Sequence, residues 1–204
     1  MVITLGIIAI TVLVSWAAFS NQKLLSSLIL WPPAIQRNYQ FHRLISYGLI
    51  HADFNHLLFN MITLFFFGRV MEGFFVHFVG WLGYLGFYLG AIVCSVLPGY
   101  FRNRHNPHYR TLGASGAVSA VLFAFILLQP WSMLFVFFLP LPAIVYAVIY
   151  IGYSLWQDHH GKDNINHSAH LWGAAYGVVV VYLIKPDVLQ HFLRQLMKPG
   201  FSLS

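Results

Sequence analysis

Residues 54–97 read FNHLLFNMITLFFFGRVMEGFFVHFVGWLGYLGFYLGAIVCSVL, a run in which Arg69 and Glu72 are the only charged side chains. Crossing a hydrocarbon layer of about 30 Å takes about 20 apolar residues in a helix. The stretch therefore predicts two spans, 54–70 and 74–97, joined by a short polar turn. Working outward, Val2–Phe19 is almost wholly apolar and lacks the basic leader of a signal peptide, so it reads as a retained span. Asn21–Arg43, with Trp31-Pro32-Pro33, reads as a loop, and Arg102, Arg104 and Arg110 mark another before a fourth span at 112–128. Pro140 and Pro142 interrupt the next apolar stretch; an interfacial segment is expected there, then a short helix over 142–156 that begins at Pro142. The polar segment Gln157–Asn166 precedes a sixth span at 168–184, and a basic amphipathic tail follows from Lys185. The expected fold is an all-α membrane protein, a single six-transmembrane-helix bundle over residues 1–204.

Composition agrees. Of 204 residues 59% are hydrophobic and 8% charged, whereas a soluble domain carries about 25% charged residues. With a mean hydropathy of +0.71, soluble enzymes and disordered chains are excluded. The net charge of +6 comes from basic residues scattered singly through short connections. That distribution suits contact with anionic lipid headgroups rather than nucleic acid. Cys94 is the single cysteine, so no disulfide forms within the chain.

Polar side chains inside spans are costly and mark functional candidates. Four stand out: His56 and Asn60 in the second span, Ser115 in the fourth and His170 in the sixth. In an up-and-down bundle these three helices run in one direction. All four residues fall near the N-terminal ends of those helices, which places them at similar depth. Ser115 lies in Gly113-Ala114-Ser115-Gly116, and His170 precedes the small pair Gly173 and Gly177. Two such helices can approach closely, bringing an imidazole to a hydroxyl that needs a base to become a nucleophile. His56 and Asn60, at i and i+4, share a helix face and can donate to a developing oxyanion. Taken singly, a serine among Gly and Ala, a G-x-x-x-G pair or a lone intramembrane histidine is ordinarily packing material. Their shared depth carries the reading. Of the five carboxylates only Asp53 lies close to this group in sequence, so a Ser–His dyad is the simplest scheme. The chain has no H-E-x-x-H and no aspartate deep in a span; its eleven histidines leave a metal or haem protein as a more distant reading.

These residues resemble a known family. His51-Ala52-Asp53-Phe54-Asn55-His56-Leu57-Leu58-Phe59-Asn60 is similar to the H-x4-H-x3-N signature of rhomboid intramembrane serine proteases. Gly113-Ala114-Ser115-Gly116 resembles their G-x-S-G motif, Ala169-His170-Leu171-Trp172-Gly173 with Gly177 their A-H-x-x-G-x-x-x-G, and Gly68–Glu72 their G-x3-E. The resemblance runs from about Arg43 to Gly177, in order and spacing. It implies Ser115 as nucleophile, His170 as general base, and His56, Asn60 and the Ser115 backbone N–H as the oxyanion hole. It gives Arg43, Glu72 and the first loop structural roles. It further implies the minimal six-helix bacterial form in an inner (plasma) membrane, with both termini cytoplasmic and the site toward the outside. Loop charge points the other way, with seven basic residues on that outer side against four within.

Two positions depart from the family pattern. His42-Arg43 replaces a common Trp-Arg pair. Ser119 stands where many members carry a tyrosine that packs on the catalytic histidine, which leaves that face of His170 to Trp172 or a loop residue. The expected function is hydrolysis of peptide bonds in or near transmembrane segments of other membrane proteins. No cofactor or metal is expected, and the partners are substrate proteins and lipid. The segment Gln157–Asn166, with His159, His160, Asp163 and Asn164, is expected to cap the site, and substrate to enter beside the short fifth helix. The alternative is a catalytically silent rhomboid-like protein that binds membrane clients.

Overall fold

A computed structural model of the chain describes residues 1–136, 139–160 (without the His159 side chain) and 166–198, and it is mostly helical. Helix α1 is Val2–Ser20. It turns Thr4, Thr11, Ser15 and Ala18 inward and leaves Leu13 and Trp16 at 70% and 65% exposure. Polar and small residues inside, large apolar ones outside, is the pattern of a helix whose solvent is lipid.

The segment predicted as a loop between the first two spans is instead a stack of short helices: α2 (Gln22–Leu28), α3 (Pro32–Asn38), α4 (Arg43–Ser46) and a 3-10 turn at Tyr47–Leu49. Their start signals are ordinary. Asn21 caps α2 by accepting from Leu24 N, and Pro32 occupies the first turn of α3. Arg43 then fastens the segment, donating to the carbonyls of Ser26 at 2.8 Å and Ile29 at 2.6 Å and to Gln40 Oε1 at 2.7 Å. Burial, with Arg110 nearby, lowers the affinity of its guanidinium for its proton.

Helix α5 (Phe54–Asn103) is a hairpin, not a rod. Gly80 has φ 77° and ψ 175°, a backbone state open to glycine almost alone. The Phe75 and Phe87 rings stack at 4.3 Å, although twelve residues of straight helix would hold them about 18 Å apart. The turn predicted at 71–73 therefore lies at Gly80. Glu72 needed no loop: it is buried at 4% exposure and accepts from Thr4 N at 2.8 Å, Thr4 Oγ1 at 2.6 Å and Ile3 N at 3.2 Å. It ties the start of α1 to the first arm of α5. The second arm runs through Pro98 to Asn103, past the expected end at 97.

Helix α6 (Ser115–Leu128) is the hub, with residues 116–127 all buried. A helix apolar on every side belongs in a core. Its 14 residues reach only about 21 Å, well short of its neighbours. The extended segment before it descends into the bundle, pinned by a two-bond bridge between Thr111 and Leu30 and by Gly113 N donating to Tyr47 O at 2.9 Å. Ser115 thus opens a short helix held at its start by these bonds.

The stretch after α6, expected to be an interfacial segment, is an antiparallel pair, β1 (Met133–Val136) and β2 (Leu139–Pro142). Pro142 ends β2 rather than opening the next helix. Helix α7 (Ala143–His160) has its first N–H groups taken by the carbonyls of Ser132 at 2.9 Å and Pro130 at 2.8 Å. At 18 residues, or about 27 Å, it is longer than the short helix the two prolines suggested. Helix α8 (His167–Ile184) is capped by Asn166, which accepts from Ala169 N, and the amphipathic helix α9 (Val188–Met197) follows. Among the described residues α1, α5 and α8 are long and apolar enough to cross a membrane. This is an integral membrane protein.

Candidate active site

Close approach of α6 and α8 builds the site. A Cβ added to Gly173 or Gly177 would collide with the backbone of Gly116 or Ala120. With backbones in contact one turn below, His170 Nε2 lies 2.7 Å from Ser115 Oγ. Ser115 is the first residue of α6, so the N–H groups of that turn have no partner within the helix. The helix N-terminus also supplies partial positive charge to any anion formed there.

The first arm of α5 brings the other two candidates. Asp53 caps it, accepting from His56 N at 2.8 Å, so the carboxylate that lines the cavity among the described residues serves as a helix cap. Gly113, at φ +111°, leaves room for the His56 ring, which a Cβ there would strike at 2.7 Å. Asn60 Nδ2 donates to His56 O at 2.8 Å, which uses one of its two donors. His56, Asn60, Ser115 and His170 all line one cavity of about 780 Å³. Phe59 and Thr63 of α5 and Tyr146 and Tyr150 of α7 also line it.

Two residues enter that sequence reasoning did not place. His51 is fully buried; Ala114 N donates to its Nε2 at 3.3 Å, which sets the proton on Nδ1 facing Ser15 Oγ at 3.0 Å. Ser15 in turn donates to Leu49 O at 2.9 Å. This chain fixes the residue before Ser115 to α1 and the first loop. Burial, reinforced by His56, holds the His51 pKa down to about 3. The H-x4-H spacing named this histidine but gave it no partner. The second is Tyr150. Trp172, expected as an alternative to a loop residue to cover His170, is 51% exposed; among the described residues the rings beside His170 are Tyr150, with centroids 6.0 Å apart and planes at 23°, and His167, at 6.0 Å and 73°.

The expected cap falls largely on residues 161–165 and the His159 side chain, which lie outside the described residues. Among the described residues no three His, Cys, Asp or Glu side chains form a group that could hold a metal ion. His51 and His56 meet as a T-shaped ring pair at 4.9 Å.

Compared with known proteins, residues 38–187 match the rhomboid domain. The chain belongs to the rhomboid family. It is 33% identical over 181 residues to RHOMBOID-like protein 12, mitochondrial, of Arabidopsis thaliana, covering 82% of this chain and 53% of that one. Over 164 residues it is 32% identical to Rhomboid-like protein 11, chloroplastic, of the same plant, covering 72% and 52%. Rhomboid-related protein 1 of Caenorhabditis elegans is 27% identical over 161 residues, covering 76% and 43%. The chain thus spans about half the length of these relatives or less. The matched rhomboid region takes in Ser115, His170, His56 and Asn60.

Proposed function

We infer that this rhomboid is an intramembrane serine endopeptidase. The observation that carries the reading is the 2.7 Å approach of His170 Nε2 to Ser115 Oγ at the mouth of a helix N-terminus. His170 takes the hydroxyl proton as Ser115 Oγ attacks the peptide carbonyl carbon. The carbonyl oxygen becomes an oxyanion beside the Ser115 N–H, with His56 and the second Asn60 donor completing the hole. Collapse breaks the C–N bond, and His170 passes its proton to the departing amine. Water entering the cavity then hydrolyses the acyl-enzyme through the same base. With Ser115 at the start of a membrane helix, hydrolysis needs this cavity to bring water to it.

The substrates are transmembrane segments of other proteins, admitted between the first arm of α5 and α7, whose side chains line the same cavity. Both arms of α5, with α1, α6, α7 and α8, make the six crossings of a single membrane domain. The bacterial inner membrane rests on the family resemblance alone, whereas the two plant relatives are named for mitochondrion and chloroplast.

Reconstitution with a single-span reporter protein in liposomes tests the reading. Wild type is expected to cut the reporter, and Ser115→Ala and His170→Ala to leave it whole. Binding of the reporter without cutting by a folded wild type would replace the protease with a client-binding protein.

A further inference from the structure

Helix α7 contributes no member of the dyad, yet it reaches the dyad through Tyr150. Ser119 lies one turn beyond Ser115 on α6 and is 4% exposed. Its Oγ is 2.7 Å from the hydroxyl of Tyr150. The Tyr150 ring then lies beside the His170 imidazole at 6.0 Å and 23°, within the range of an offset aromatic pair. Phe123 of α6, at 5.5 Å, supports the same ring. Elsewhere α7 meets the bundle through the small buried side chains Ala143, Ala147 and Ser154, through Ile144 and Tyr146 packed on the core, and through the Tyr153 ring 5.6 Å from His167, while Val148 and Ile149 point outward at 66% and 57% exposure. A small residue at 119 opens a space one turn below the nucleophile, and an aromatic residue from a different helix fills it.

We propose that Tyr150 is the positioning residue of the base: its ring, carried by α7 and tethered to Ser119, holds His170 against Ser115. The inference rests on the proteolytic reading and adds a dependence to it. The base is aligned only while α7 is docked. Phe59 and Thr63 of α5 line the same cavity as Tyr146 and Tyr150, so a segment bound there meets the element that braces His170.

Four variants of the full chain in detergent test this: Tyr150→Ala, Tyr150→Phe, Ser119→Ala, and the exchange Ser119→Tyr with Tyr150→Ala. The rate at which a small fluorophosphonate labels Ser115 reads activation of the serine without a substrate helix. Cleavage of the reporter gives kcat and KM. Tyr150→Ala is expected to slow labelling and kcat together by about 100-fold, the cost of roughly 1 Å of misplacement, with KM nearly unchanged. Tyr150→Phe and Ser119→Ala keep the ring but cut the tether, and each should lose about tenfold, the effect of one hydrogen bond near 1.4 kcal/mol. The exchange returns an aromatic ring to His170 from α6 and should recover most of the rate. Tyr150→Ala labelling at the wild-type rate would overturn the proposal, as would a loss of kcat with labelling intact or an exchange variant that folds and recovers nothing. Proton NMR of histidine-labelled protein, with His170 assigned by His170→Ala, gives a readout independent of activity. A ring-current shift at His170 that changes in Tyr150→Ala, with His167 still in place beside it, and survives in Tyr150→Phe supports the brace. Should wild type neither label nor cleave, the proteolytic reading fails, and the NMR comparison still decides whether Tyr150 holds His170.

Discussion

The contact between α6 and α8 sets the dyad distance, and Gly173→Ala perturbs it most directly. A methyl group there would lie 2.8 Å from the carbonyl carbon of Gly116 and 3.1 Å from its Cα, with the carbonyl oxygen nearer still. Carbon atoms rest at about 3.5–4.0 Å, and backbone cannot rotate aside as a side chain does. The helix axes must part by roughly 1 Å to restore ordinary contact. Gly116 adjoins Ser115 and Gly173 lies one turn from His170, so most of that movement reaches the 2.7 Å hydrogen bond. Stretched to about 3.7 Å it is no longer a hydrogen bond. Overpacking of this kind costs about 1–3 kcal/mol of stability, and misplacement by about 1 Å costs about 100-fold in rate. Fluorophosphonate labelling gives the rate, and thermal unfolding in the same detergent gives the stability. Gly86→Ala is the control, since a Cβ there meets nothing within 4 Å, and it should change neither. A folded Gly173→Ala protein labelling within about threefold of wild type would refute the argument that glycine contact sets the catalytic distance.

Two further perturbations test the scaffold. His51 stays neutral in the fold, with its pKa near 3 against an ordinary value of 6.5, so the unfolded chain takes up more protons in between. Stability should therefore be full above pH 6.5 and decline as pH falls below it, by about 2 kcal/mol at pH 5; acid titration of the unfolding midpoint checks this, with a flatter profile expected for His51→Gln. Glu72→Gln should release the start of α1 by weakening three charge-assisted bonds, costing about 2–3 kcal/mol, read as a lower unfolding temperature with the labelling rate of the folded protein nearly unchanged.

The sequence made the apolar spans and the approach of His170 to Ser115 legible for different reasons. Lipid as solvent writes itself into composition, so α1, α8 and the apolar arms of α5 could be seen without any fold. The four site residues could be seen because antiparallel counting puts the starts of alternate helices at one depth. Misplacements came where tertiary contacts override local signals. Glu72 looks like a turn residue until α1 supplies its donors, and the Gly80 reversal depends on one backbone state that composition does not reveal. Pro140 and Pro142 announce an interruption but not the strand pair that contains them. The first loop carried its caps in plain view at Asn21 and Pro32, yet its helices are only seven residues long, too short for periodicity to register. Tyr150 was invisible for a deeper reason. Its partners Ser119 and His170 lie on two other helices, and no spacing along the chain encodes that meeting.

The central claim is that Ser115 is an activated nucleophile. Intact-mass and peptide mass spectrometry of the detergent-purified protein after fluorophosphonate treatment tests it most directly. The account predicts one adduct, on the peptide containing Ser115, absent from both Ser115→Ala and His170→Ala. An adduct that persists in Ser115→Ala, or a folded wild type that forms none, would contradict it.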